Sequence, residues 1–94
     1  MSAKSLAECE TDAIALLKDI TQDWDTGLNG DITAATAVVA DLGFESLDVV
    51  HLVTAIEQRF SRRDLPFEEL LMIEGRYVDD LTVKQIASFL YRHL

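Results

Sequence analysis

Apolar positions along this chain fall into helical stripes separated by polar breaks. The first stripe runs Leu6, Cys9, Ala13, Leu17, Ile20 and Trp24 in steps of three and four, the spacing of one helix face. Ser5 followed by Glu8 has the pattern of a capping box, so the helix is predicted to open near Ser5. Asp25 to Asp31, with Gly27 and Gly30, breaks the stripe and begins a long loop, within which Thr36 to Ala40 predicts a short helical turn. A second helix is expected to start at Gly43-Phe-Glu-Ser46. Val49, Val53, Ile56 and Phe60 would form its core stripe, with Leu52 alongside. Leu47, His51, Thr54 and Gln58 fall on a different face.

Leu65-Pro66 marks a turn into a short third helix, expected over Phe67 to Ile73, because proline suits a first helical position where its missing donor has no partner to lose. Gly75 is expected to end it. Thr82 and Gln85 form another capping box and open a last helix that carries Val83, Ile86, Leu90 and Leu94 inward. No segment reads as a strand. The expected fold is all-α: a small four-helix bundle, with a long loop between helices 1 and 2, forming one domain over residues 1–94.

Composition narrows the function classes. Seventeen acidic against eight basic side chains give a net charge of −9. Nucleic-acid binding needs a basic footprint, and the nearest candidate, Arg59, Arg62 and Arg63, sits beside Glu57 and Asp64. An acidic surface suits steering toward basic protein partners, and it also keeps a small domain in solution. The lone Cys9 excludes an internal disulfide, and with only His51 and His93 beside it no zinc site is expected. Cys9 falls on the apolar stripe and is read as a buried thiol. Neither a cleavable apolar leader nor a bilayer-length apolar run is visible, so a cytoplasmic monomer without membrane insertion is expected.

The stretch from Asp41 to Val50 carries the chemistry. Gly43, Phe44, Glu45, Ser46 and Leu47, followed by Asp48, resemble the phosphopantetheine attachment site of acyl carrier proteins: Gly, any residue, an acidic residue, then Ser-Leu. Ile56-Glu57 and Phe60 downstream, Leu65-Pro66, and Leu81-Thr-Val83 continue the resemblance in order along most of the chain. It implies that a phosphopantetheinyl transferase, with coenzyme A and Mg²⁺, attaches a 4′-phosphopantetheine arm to the Ser46 hydroxyl. Acyl intermediates then ride on the arm as thioesters. The phosphodiester formed is an anion at a helix start, where unpaired amides and the helix dipole favour negative charge. Catalysis would belong to partners such as a ketosynthase or acyltransferase of fatty acid, polyketide or related biosynthesis, and the chain itself would not be an enzyme. Glu45, Leu47, Asp48, His51, Thr54, Glu57 and Gln58 are the partner-recognition residues implied, Asp48 also through transferase and Mg²⁺ contact. Without the resemblance, Ser46 would read as an ordinary helix cap and Asp48 as a favourable partner of the dipole.

Three departures stand out. Glu45 replaces the usual aspartate before the serine. His51, Gln58 and Arg59 occupy positions that are often acidic in the family, which suggests a specialised carrier with altered partner choice. Phe67 to Asp80 is longer than usual; it would either lengthen the third helix or reshape a cavity or partner surface. His51 is read as exposed and inert, and its distance in sequence from Ser46 argues against a nucleophile–base pair.

Other classes fit less of the chain. Asp25, Asn29, Gly30, Asp31 and Ile32 partly echo a calcium loop, but Gly27 and Thr36 stand where oxygen ligands belong. A helical adaptor without an arm shares the fold expectation. An aminoacyl or peptidyl carrier shares the attachment chemistry too, although Glu45 and the acidic balance favour acyl cargo.

Overall fold

Reciprocal capping at Ser5 and Thr82 opens the two helices at the centre of the fold. In the computed structural model, which describes residues 5–24 and 32–93, α1 spans Leu6–Thr21. Ser5 Oγ accepts from the Glu8 amide at 3.1 Å while the Ser5 amide donates to Glu8 Oε1 at 3.0 Å. The last helix, Val83–His93, repeats the device: Thr82 Oγ1 accepts from the Gln85 amide at 3.2 Å and Gln85 Oε1 accepts from the Thr82 amide at 2.8 Å. Between them lie α2 (Ser46–Phe60), the four-residue α3 (Glu68–Leu71), and two short strands, β1 (Met72–Ile73) and β2 (Arg76–Tyr77). The last helix is therefore α4. Described residues are mostly helical, with one small antiparallel hairpin.

α1 packs chiefly along α4. Leu17, Ile86, Phe89 and Leu90 lie at the centre of that contact, all fully buried, with Cys9 and Ala13 beside them. Phe89 stacks on Phe67 at 5.4 Å between ring centroids, which brings the segment after Pro66 onto the core. Buried positions outside the expected stripes are Leu16 and Thr21 on α1 and Ala87 and Phe89 on α4. Conversely, Leu6 is partly exposed, and Trp24 lies past the end of α1, tilted against Phe44 at 5.2 Å. Leu94 and the expected loop start at Asp25–Asp31, including the calcium-like residues other than Ile32, lie outside the described residues.

The connection into α2 supplies core and caps α4. Ile32, Val38, Leu42 and Phe44 are all buried. Val83 and Lys84 amides, left without intrahelical acceptors at the start of α4, donate to the Thr36 and Ala34 carbonyls at 3.0 and 2.9 Å. Ala37 and Thr82 pair as an isolated bridge. The helical turn expected over Thr36–Ala40 is accordingly displaced: Thr36 and Ala37 pair with the segment entering α4, and the turn covers Val38–Leu42. In it the Asp41 amide donates to the Ala37 carbonyl, and the Asp41 carboxylate accepts from the Ala37 amide.

The third helix is corrected more substantially. It ends at Leu71, not Ile73, and Met72 is already extended, with φ −131° and ψ 142°. Met72 pairs with Tyr77 and Ile73 with Arg76 across a two-residue turn, Glu74-Gly75. Both turn residues have positive φ, 52° and 78°, as the hairpin turn that matches strand twist requires. Gly75 thus turns a hairpin instead of ending a helix, and Pro66 lies ahead of α3 rather than at its first position. The short apolar run Leu70 to Ile73 fits helix and strand alike in sequence, and the Glu-Gly pair after it was the missed signal.

Candidate functional site

Gly43 sets the approach to α2. Its φ of +75° lies in the left-handed region, and its amide donates to the Val39 carbonyl at 3.0 Å while Phe44 donates to Val38 at 2.9 Å. A side chain at Gly43 would meet nothing within 4 Å, so the backbone conformation is what calls for glycine. Phe44 then anchors in the core, and Glu45, extended at φ −110° and ψ 179°, is the N-cap.

Ser46 is consequently the first helical residue and not the cap. Asp48 Oδ2 accepts from the Glu45 amide at 2.8 Å and closes the helix start from three residues ahead. The exposed Ser46 hydroxyl is not recruited to the cap. It stands over the first turn, where backbone N–H groups have no intrahelical acceptor and the dipole is positive. An exposed hydroxyl there fits a covalently attached phosphate, which gains from both features.

Beside Ser46 lies a cavity of about 460 Å³, within the roughly 300–1,000 Å³ usual for small-ligand pockets. Val49, Val50 and Val53 form its α2 wall. The displaced turn contributes Val38 and Val39, while Leu71, Tyr77 and Val78 come from the α3–hairpin segment. The expected α2 stripe is therefore rotated. Leu52 and Ile56 are fully buried, Val49 and Phe60 pack partly on the core, and half-buried Val53 faces the cavity.

Asp80 holds this wall together. Its Oδ1 accepts from the Val39 amide at 2.7 Å and its Oδ2 from Ala40 at 2.9 Å, with the Leu81 amide also on Oδ1 at 2.7 Å. Burial works against ionisation of Asp80, but the three backbone donors outweigh it and hold its carboxyl below the usual aspartate range.

The residues expected to meet partners are spread over the outer surface of α2. Glu45, Leu47, His51, Thr54 and Gln58 are exposed, whereas Asp48 and Glu57 are half-buried. Leu47 stands 83% exposed next to Ser46. His51, Gln58 and Arg59 instead edge a second groove against Leu16, Asp19 and Ile20 of α1. Arg59 there pairs with Asp12 at 3.3 Å, so part of its charge is used within the fold. Tyr77 and Asp80 fall in the Phe67–Asp80 stretch for which a reshaped cavity is one expectation, whereas Val38, Val39 and Val50 are not among the expected site residues. A period-based argument places residues on faces of one helix, whereas this cavity draws on three separated segments.

No helix among the described residues is long and apolar enough to cross a membrane. The family model for the phosphopantetheine attachment site matches residues 15–90, from α1 through most of α4. No solved structure matches the chain.

Proposed function

This chain belongs to the phosphopantetheine attachment site family, and from that premise we propose that Ser46 bears the arm and that the chain is an acyl carrier protein, one carrier domain built on a small four-helix bundle. Domains of this family hold 4′-phosphopantetheine covalently, are generally non-catalytic, and meet phosphopantetheinyl transferases and biosynthetic enzymes. The arm supplies a terminal thiol on which cargo rides as a thioester. The residues of this chain would supply the rest: an accessible hydroxyl, a helix start that favours the phosphate, and an apolar recess for the cargo.

One observation carries the acyl reading: Ser46 itself lines the mouth of a cavity walled by valines, leucines and a tyrosine. Apolar chains gain by leaving water there, at about 0.8 kcal/mol for each methylene buried. Partners would dock on exposed Leu47 and the neighbouring carboxylates Glu45 and Asp48, with Glu57 farther along α2. Pathways of fatty acid, polyketide or related lipid synthesis use such carriers. The altered α2 face, with His51 and Gln58 exposed and Arg59 tied to Asp12, favours a specialised carrier over a general one.

The test is intact mass after incubation with coenzyme A, Mg²⁺ and a promiscuous phosphopantetheinyl transferase, beside a Ser46→Ala control. Gain of one arm by the wild type alone is expected. Absence of gain with several transferases would sink the carrier reading and leave a helical adaptor.

A further inference from the structure

The hairpin changes what the cavity can hold. Three large apolar side chains line it and yet stand in water: Tyr77 is 79% exposed, Val50 61% and Val39 40%. They share the mouth with Ser46, so a cargo tethered there meets them at high effective concentration. Tyr77 owes its place to strand register. It is paired with half-buried Met72, while Ile73 and Arg76 form the neighbouring pair, whose side chains point to the opposite face of the ribbon. A helix continued to Ile73 would not bring Tyr77 to the cavity in this way.

The charged groups at the cavity, among the described residues, are all of one sign. Asp79 and Asp80 line it, and among the described residues no lysine, arginine or histidine does. Both Asp80 oxygens already accept backbone hydrogen bonds, so Asp80 is held ionised in place and cannot swing away. A chain ending in a carboxylate would bring a further negative charge toward these two while leaving water among valines.

We propose that the hairpin makes this cavity selective for uncharged aliphatic acyl chains over carboxylated ones, with Tyr77 as the specificity-determining residue that covers the chain at the mouth and Asp79 as the group that rejects carboxylated chains. This rests on the reading that Ser46 carries an acyl-loaded arm. Tyr77 touches the cargo and not the reacting thioester, so its effect is on which chains are held.

The experiment loads the protein from octanoyl-coenzyme A and from the equally long ω-carboxylated suberyl-coenzyme A. Thermal midpoint and the rate of thioester cleavage by hydroxylamine are then read by fluorescence and intact mass. Octanoyl protein should melt above arm-only protein and resist cleavage, by roughly fourfold for each methylene that enters. Suberyl protein should gain neither. Tyr77→Ala should lose octanoyl protection on the order of tenfold, Tyr77→Phe should keep it, and both should melt like wild type without an arm. Asp79→Lys should gain protection of the suberyl chain. Equal protection of both cargoes, or full octanoyl protection in Tyr77→Ala, overturns the proposal. Because arm attachment is read in the same mass spectra, a protein that takes the arm but fails these comparisons overturns this inference alone.

Discussion

Asp80 and Val39 lie 41 positions apart and meet through a 2.7 Å hydrogen bond from the Val39 amide to the Asp80 carboxylate. The contact ties the turn before α2 to the segment entering α4, and so sets the two non-helical walls of the cavity against each other. Replacing Asp80 with Asn leaves one acceptor for three donors and is expected to cost about 1–3 kcal/mol at neutral pH, measured by urea unfolding.

The same carboxylate gives a pH dependence. Its folded pKa lies below the unfolded value, so the folded protein binds that proton less readily. Its stabilisation is therefore present above the ordinary aspartate pKa of about 3.9 and is lost as pH falls through the lower folded value. Wild type should lose more unfolding free energy than Asp80→Asn on acidification below about pH 4. Parallel pH profiles for the two proteins would contradict the assignment.

At α2 the cap comes from Asp48 and the Glu45 backbone. Asp48→Ala should lower stability by about 1 kcal/mol, whereas Glu45→Asp should stay within about 0.5 kcal/mol of wild type. If Glu45→Asp speeds arm transfer with an unchanged melting midpoint, the glutamate acts on transferase recognition and not on the fold.

Phe89 is fully buried and stacks against Phe67 at 5.4 Å. Phe89→Ala should cost about 3–5 kcal/mol, a large part of the roughly 5–15 kcal/mol that stabilises a small domain. Denaturant titration followed by circular dichroism would read the loss, and a variant as stable as wild type would place the core elsewhere.

Cys9 is also fully buried. Its thiol should react with a disulfide reagent only as fast as the protein opens, and fully once denatured. Prompt stoichiometric reaction in native buffer would contradict the packing of α1.

Short-range chemistry determined much of this protein from its sequence. Ser5 with Glu8 and Thr82 with Gln85 mark both central helices because a capping box spans only three residues. The stripes through Cys9, Ala13 and Leu17, and through Val83, Ile86 and Leu90, needed nothing but helical period. Gly43 to Asp48 pointed to Ser46 for the same reason: motif, turn and helix start are contiguous. Tertiary structure decided what no local pattern carries. Leu70 to Ile73 could continue a helix or enter a strand, and the choice followed from seating Leu70 in the core and closing the ladder from the Val78 amide to the Leu71 carbonyl. Val53 was turned from core to cavity because Leu52 and Ile56 took the centre of the packing. The recess beside Ser46 exists only once Val39, Val50 and Tyr77 converge from three segments, and Asp80 is the long-range hydrogen-bonding group that holds the turn in place.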